Sequence, residues 1–207
     1  CMDDKISFKE RVRLTAIKES KSFKSIFVDK EFLICSHSFK KRDYYILSAE
    51  KDNYLHLVGI GTQLSALDFF NKCYDGTLSL DDFDFNKNGQ DESSVKGSVR
   101  RKIQSLERLA SLFDDDLLIE EGFKRNKISC AIATSDKKIT LGFTSGTKSR
   151  PKTLLKGNEL KTNPLTVDLV LSRARGDNRF NKIIIGNKSI VNDFKVKIEN
   201  IISDELL

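Results

Sequence analysis

The sequence predicts an α+β protein in which N-terminal helices pack on a mainly antiparallel sheet of four to five strands. Apolar residues spaced three and four positions apart, the pattern of amphipathic helices, dominate the chain before about residue 116. From about residue 117 to residue 187 the pattern changes to short apolar and β-branched segments separated by turns. Because these turns are too short for helical crossovers, we expect residues 117–185 to form one mainly antiparallel sheet.

The helical part, about residues 1–116, also contains short expected strands. Its clearest helix carries Val95, Val99 and Ile103 on one stripe. The run YLHLVGI, residues 54–60, is interpreted as a strand leading into a glycine turn because it is short and apolar. Ser79 and Asp82 have the spacing of a capping box. The expected elements are helices over residues 6–27, 65–74 and 95–113, and strands over residues 32–36, 43–48 and 54–60.

The sheet part, about residues 117–187, is followed by an expected C-terminal helix over about residues 189–205. Phe194, Ile198 and Ile202 have helical spacing in this tail. Since no internal repeat or long linker interrupts the sequence, residues 1–207 are expected to form a single domain. The expected strands of the sheet part are residues 117–121, 128–133, 138–143, 165–172 and 182–185.

Length and composition restrict the class of protein. A chain of 207 residues with 39% hydrophobic content can bury a sizeable core. It has no run near the ~20 apolar residues of a membrane helix, and its first residues lack the apolar core of a signal peptide. We therefore expect a cytoplasmic protein without membrane contact. The four cysteines show no CxxC spacing, and no motif for a nucleotide or metal is present, so neither metal nor cofactor is expected.

The positive charge is concentrated late in the chain. Residues 137–188 contain twelve Lys and Arg against three acidic residues, a local excess of +9 in a chain whose net charge is +6. Such segregation favours a basic face for a polyanion, because phosphate neutralisation supplies most of non-specific nucleic-acid affinity. The alternative is a lysine-rich solvated surface without a partner. The basic residues expected to contact nucleic acid are Lys148, Arg150, Lys156 and Arg175.

His56 is the main candidate for proton-transfer chemistry. Histidine is the one side chain whose unperturbed pKa lies near neutrality, so it can give and accept protons under cellular conditions. His56 lies where an apolar run meets Gly59 and Gly61. The alternative interpretation is a core histidine with a local hydrogen bond.

Two basic segments could stabilise a phosphate next to such a group. In the first, Pro151 restricts the backbone before Lys152 and Thr153, a cation beside a hydroxyl donor. In the second, Ser172 and Arg173 end an apolar strand, and arginine suits bidentate contact with phosphate. The alternative for both segments is an ordinary basic loop at a strand end.

Several short motifs, in this order, resemble one protein family. They are the HLVG turn, the segment FFNKCYDGTLS, the amphipathic helix over residues 103–113, the LGF strand, the segment PKTLL and a strand ending in LSR. Together they resemble the phage and conjugative-element branch of the BECR-fold nucleases, relatives of barnase, EndoU, colicin and RelE toxins. The resemblance spans roughly residues 32–185. It implies an α+β fold with N-terminal helices on an antiparallel sheet, and metal-independent RNA cleavage in toxins, phage effectors or defence modules.

The resemblance also implies roles for individual residues. His56 corresponds to the histidine of the HLxG turn, Lys152 and Thr153 to the basic and hydroxyl pair of the PxT segment, and Ser172 with Arg173 to the late strand. The first functional hypothesis is thus an endoribonuclease acting on RNA as a toxin, phage effector or defence effector, with a possible neutralising or antitoxin partner. The second is a non-catalytic RNA-binding or phage-defence interaction protein that uses the same basic face.

Overall fold

The computed structural model describes residues 6–207, so residues 1–5 at the start of the expected helical part lie outside the described residues. In the first half of the chain, α-helices are interspersed with short 3₁₀ turns and short strands, and near its end two short α-helices are followed by a 3₁₀ turn. A π-helical turn, Phe23–Val28, follows the first helix directly. The helices are α1 (Phe8–Ser22), α2 (Tyr54–Val58), α3 (Ala66–Asp75), α4 (Glu92–Leu106), α5 (Lys188–Asp193) and α6 (Lys195–Ile198).

The strands form two larger sheets and one small hairpin. The first sheet has the strand order β11-β10-β1-β2, the second has the order β8-β7-β6-β3-β9, and β4 pairs only with β5. Every one of these strand pairs is antiparallel. The strands are β1 (Lys30–Cys35), β2 (Tyr45–Ser48), β3 (Leu118–Glu121), β4 (Lys124–Arg125), β5 (Ile128–Ser129), β6 (Ile132–Ser135), β7 (Ile139–Phe143), β8 (Pro151–Lys156), β9 (Leu165–Thr166), β10 (Leu169–Ala174) and β11 (Lys182–Ile185).

The α+β class with mainly antiparallel sheets is confirmed, but the expectation of one sheet over residues 117–185 is wrong. The late strands β10 and β11 join the early strands β1 and β2, because β10 pairs along its whole length with β1. A parallel bridge pairs Leu47 of β2 with Ser149, two residues before β8, and so connects the first sheet to the segment that enters the second. The pairing of β1 with β10 spans more than a hundred residues of sequence, and local patterns carry no information about it.

A large hydrophobic core lies between the two sheets and the helices. It contains Phe32 and Leu47 from the first sheet and Leu141 and Leu154 from the second, together with buried residues of α1 to α4. A second cluster covers the other face of the first sheet, where α5 and α6 pack on Leu33 and Leu171. The large core joins both sheets, and on this basis we propose that the described chain is one domain.

Residues 54–58 of the segment 54–60 form a helix and not the expected strand. Tyr54, Leu57 and Val58 are buried, and their spacing is that of one helical face. The Glu50–Asn53 capping box starts a 3₁₀ turn, Lys51–Asn53, that leads directly into α2, and Gly59 ends α2 in the left-handed conformation with φ of 79°. A short apolar run does not distinguish a buried strand from a buried helix, and here the preceding 3₁₀ turn and the Gly59 C-cap favour the helix.

Other boundaries differ less from expectation. The Ser79–Asp82 capping box is present, and Cys73 is a buried free thiol in the core, with a pKa raised to about 12 by burial. The expected C-terminal helix is instead two helices that meet at Phe194, whose φ and ψ of −100° and 5° leave the helical region. Within residues 6–207, no helix is both long and apolar enough to cross a membrane.

Gly61 is expected to be the glycine least tolerant of substitution. An added Cβ would lie 2.3 Å from the Asn86 backbone oxygen and 2.5 Å from Asp84 Oδ1, and the backbone of residues 61 and 84 is already hydrogen-bonded at 2.8–2.9 Å. Gly61→Ala should therefore lower the free energy of unfolding by about 2–3 kcal/mol, measured by urea denaturation. Gly97→Ala is the matched control.

In this control, the new methyl group at residue 97 of α4 meets only Arg101 Nη1 at 3.6 Å. Removing a helix-interior glycine should stabilise the protein by up to about 1 kcal/mol. Equal stability of the two variants would contradict the packing described around Gly61.

Candidate active site

Strand β8 presents Lys152 at a β-bulge. Gly142 pairs with Thr153 and Phe143 pairs with Pro151, so Lys152 is left without a partner on β7. Its two neighbours are buried while its own side chain is exposed. Bulges redirect side chains and are common beside active sites. The local structure of β8 thus directs one cation away from the sheet.

Helix α2 presents His56 on its exposed face. The opposite face is anchored in the core, where the hydroxyl of the fully buried Tyr54 donates a hydrogen bond to the Ala16 carbonyl at 2.7 Å. Leu57 and Val58 are also fully buried. His56 is therefore an exposed imidazole on a rigidly anchored turn, and the alternative of a core histidine does not apply.

His56 and Lys152 line the same cavity of about 480 Å³. This cavity lies between α2, the start of α3 and the segment that leads into β8. We call it the catalytic cavity, after the role that we propose for it. Its lining residues are Asp52, Asn53, His56, Ala66, Thr144, Arg150, Pro151 and Lys152.

Both cations of the catalytic cavity are held in place by hydrogen bonds. Arg150 donates to Asp52 Oδ1 at 2.7 Å and, more weakly, to Asn53 Oδ1 at 3.4 Å. The Lys152 ammonium donates to the Ser129 carbonyl at 2.7 Å. An ammonium has three donors and a guanidinium has five, so each group retains donors for a ligand. The cavity thus combines one imidazole with two oriented cations.

Lys102 joins the two elements that carry His56 and Lys152. It extends from α4 past the backbone of Gly59, where an added Cβ would lie 2.6 Å from Lys102 Cδ. Its ammonium donates to the Leu154 carbonyl of β8 at 2.9 Å. Burial, with smaller contributions from the positive charges of Lys87 and Arg101, lowers the pKa of Lys102 to about 8.

This lowered pKa predicts a pH-dependent contribution to stability. In the unfolded chain a lysine titrates near 10.4, so between about pH 8 and pH 10.4 the unfolded state binds more protons than the folded state. The contribution of Lys102 to the free energy of unfolding should therefore rise with pH across this window. We expect the stability of the natural protein relative to Lys102→Met to increase from pH 7 to pH 10 in urea denaturation. A stability difference between the two proteins that stays constant with pH would contradict the lowered pKa of the Lys102 amine.

The structure does not bring Thr153, Ser172 and Arg173 to the catalytic cavity. Thr153 is buried in β8, and Ser172 is buried in β10 of the first sheet. Arg173, only 9% exposed, stacks on the Phe180 ring and donates to Glu31 Oε1 at 3.0 Å. These three predicted roles have no geometric support here, and we leave them out of the proposed site.

Glu31 is the centre of the ion-pair network that contains Arg173. This carboxylate is 3% exposed and also accepts a bond from Lys148 Nζ at 2.9 Å. Burial would raise the pKa of Glu31, but the bonds from Lys148, Ser48 and Arg173 lower it below its ordinary value. The network ties β1, β10 and the loop before β8 together, so we assign Lys148 and Arg173 a structural role.

The remaining basic candidates lie at different places. Lys156 is exposed and donates to Gln104 Oε1 at 3.0 Å. Arg175 pairs with Glu50 and donates to the carbonyls of Val28 and Ala49. His37, the other histidine, lies between Asp168 and Asp193 at 3.0 and 3.3 Å. His37 is not among the residues that line the catalytic cavity.

Sequence patterns missed four polar residues that build or support the cavity. Asp52, Asn53 and Thr144 line it, and only Asn53 had a usable signal, the capping-box spacing from Glu50. The fourth residue, Lys102, belongs to α4. It lies three residues after Val99 and directly before Ile103, at the edge of the apolar stripe, where long side chains can reach the interior.

In the described part of the chain, no three His, Cys, Asp or Glu side chains are grouped so that they could hold a metal ion.

The comparisons with known proteins give one positive result. A search of curated proteins and a search of solved structures each found no match. Residues 17–175 match the family described as phage-Barnase-EndoU-ColicinE5/D-RelE like nuclease 4. This match covers well over half of the chain, including α2, α4, β8 and the catalytic cavity, so the protein belongs to this family of BECR-type nucleases.

Proposed function

We propose that this nuclease is an endoribonuclease that cleaves RNA without a metal ion, by attack of a ribose 2′-hydroxyl on the adjacent phosphate. The observation that carries the proposal is the convergence of His56, Lys152 and Arg150 on one open cavity. Such a reaction needs a base for the attacking hydroxyl, an acid for the leaving oxygen and positive charge around the phosphate. These three side chains can supply all of these functions.

His56 acts as the general base. Its exposed imidazole accepts the proton of the 2′-hydroxyl as the oxygen–phosphorus bond forms. The bond from phosphorus to the 5′-oxygen then breaks, and the Lys152 ammonium gives this oxygen a proton. The products are a 2′,3′-cyclic phosphate and a 5′-hydroxyl.

Arg150 and Lys152 stabilise the negative charge that develops on the phosphate oxygens. Arg150 is oriented by Asp52 and Asn53 before any substrate binds, and oriented donors stabilise a transition state without reorganisation. The planar guanidinium also suits bidentate contact with two phosphate oxygens. Lys102 acts as a positioning residue, since it contacts the end of α2 and donates a hydrogen bond to β8.

We further propose that the cleavage serves a toxin, a phage effector or a defence effector that acts on cytoplasmic RNA. The phage origin named for the matched family supports this setting. An unrestrained ribonuclease damages the cell that makes it, so a neutralising partner protein is part of the proposal. The direct test is incubation of the purified protein with total tRNA and ribosomal RNA in excess chelator. Binding without cleavage across salts and substrates would favour the RNA-binding hypothesis instead.

RNA binding should depend strongly on salt and on the basic residues of β8. Using His56→Ala to keep the RNA intact, we expect Lys152→Glu with Lys156→Glu to weaken binding. The slope of log K against log salt should fall by about 0.7 for each phosphate that the protein no longer neutralises. Arg11→Glu with Lys18→Glu, on the exposed face of α1, is the control with the same change of charge. Equal effects of the two double variants would show that the positive charge of β8 is ordinary surface charge and does not form an RNA-binding face.

A further inference from the structure

A second cavity of about 600 Å³ adjoins the catalytic cavity, and the two share Asp52 and Arg150 as a common wall. It lies on the side of the π-helical turn and the start of α3. We call it the flanking cavity. Its lining residues are Lys24, Val28, Asp29, Glu50, Lys51, Asp52, Leu67, Arg150 and Arg175.

The charges of the flanking cavity are largely compensated. Lys24 pairs with Asp29 at 3.0 Å, Arg175 pairs with Glu50, and Arg150 pairs with Asp52 at 2.7 Å. Four cations against three carboxylates leave only one positive charge in the lining. A second phosphate would have to displace the carboxylates that hold Lys24 and Arg175, since Arg150 is the cation assigned to the scissile phosphate. The flanking cavity therefore suits a neutral polar group better than a second phosphate.

The flanking cavity also offers an apolar surface and hydrogen-bond acceptors. Leu67 lines the flanking cavity and is 48% exposed. It directly follows Ala66, which lines the catalytic cavity. An ionised carboxylate has about four acceptor positions and no donor. Asp29 and Asp52 therefore retain acceptor positions beside their cationic partners. A flat group with an apolar face and N–H donors at its edge matches these features.

We propose that the flanking cavity binds the nucleobase next to the scissile phosphate and prefers a base that carries an amino group. The inference rests on the proposed ribonuclease function and specifies its substrate. The base packs on Leu67, while Asp29 and Asp52 accept hydrogen bonds from its amino group. Cytosine and uracil are pyrimidines of equal size, and cytosine has an amino group where uracil has a carbonyl oxygen. The proposal therefore predicts that cytosine is favoured over uracil.

The test uses oligodeoxynucleotides that contain one ribonucleotide, so that only one linkage can be cleaved, with cytosine or uracil on either side of it. We expect kcat/KM to favour cytosine on one side by on the order of tenfold, since a hydrogen bond to a charged acceptor is worth about that factor. Asp29→Asn, which keeps the shape and removes the charge, should reduce this preference. Leu67→Ala should lower kcat/KM roughly fivefold, because the base would then cover less apolar surface.

Leu14→Ala is the matched control, because Leu14 is 43% exposed on α1 and lies outside both cavities. Cleavage without a preference between cytosine and uracil, or equal effects of Leu67→Ala and Leu14→Ala, would overturn the inference and leave the ribonuclease function intact. If the protein cleaves nothing, the function itself fails. In that case the inference is tested by the affinity of the protein for all-deoxy oligonucleotides. Equal affinities for the oligonucleotides with cytosine and those with uracil would overturn it.

Discussion

Replacing His56 by alanine should lower the rate of RNA cleavage by about 10²–10⁴-fold, the usual contribution of one general acid–base group. RNA affinity should stay unchanged, because Arg150 and Lys152 remain in the catalytic cavity. Folding should also be preserved, since the exposed imidazole lies opposite the anchored face of α2. Single-turnover cleavage and equilibrium binding on the same RNA separate the two effects.

His37→Ala is the control for this experiment. His37 is the other of the two histidines, its side chain is half exposed, and it contacts Asp168 and Asp193 near the C-terminal helices. The cleavage rate of this variant should equal that of the natural protein. If both substitutions cost the same activity, or if His56→Ala cleaves normally, His56 is not the proton carrier.

Lys152→Ala should be the second most damaging substitution. Removal of one oriented donor from a developing oxyanion costs about 10²–10³-fold in kcat, and Lys152 also donates the proton to the leaving oxygen in the proposed reaction. KM should rise as well, because the ammonium attracts the phosphate in the ground state. Full kinetics on a defined RNA substrate would measure both parameters.

Two further variants serve as comparisons for Lys152→Ala. Lys152→Arg keeps the charge and should recover part of the activity, limited by the poorer proton donation of a guanidinium. Lys30→Ala removes another exposed strand lysine, at the start of β1 and outside both cavities, and should leave cleavage unchanged. Equal rates for Lys152→Ala and Lys30→Ala would contradict the role of the β-bulge.

The elements that local sequence could predict are those with strong local signals. Helix α3 and the Ser79–Asp82 turn carry their own caps, and α4 has a regular apolar stripe. Helix α2 is only one turn long, and its apolar spacing is compatible with a strand as well as with a helix. The helix is favoured by the capped 3₁₀ turn that precedes it, by the Gly59 C-cap and by packing of Tyr54 in the core.

The candidate site could be predicted only in part, for a physical reason. The interpretation of His56 and Lys152 depended on residue type and a neighbouring glycine or proline, which act locally. Ser172 and Arg173 had a similar local appearance, but their environment is set by the pairing of β10 with β1. In that register Arg173 lies directly opposite Glu31 and forms a buried ion pair. A register between distant strands cannot be derived from the composition of either strand.

The chemical nature of the cleaved ends tests the central proposal most directly. A defined RNA would be incubated with the protein in excess chelator, and the fragments would be analysed by mass spectrometry. Attack by the 2′-hydroxyl predicts fragments with a 2′,3′-cyclic phosphate and a 5′-hydroxyl, and no cleavage where the nucleotide at the cut carries a 2′-hydrogen. Cleavage that requires magnesium and leaves 5′-phosphates, or cleavage at the 2′-deoxy position, would contradict it.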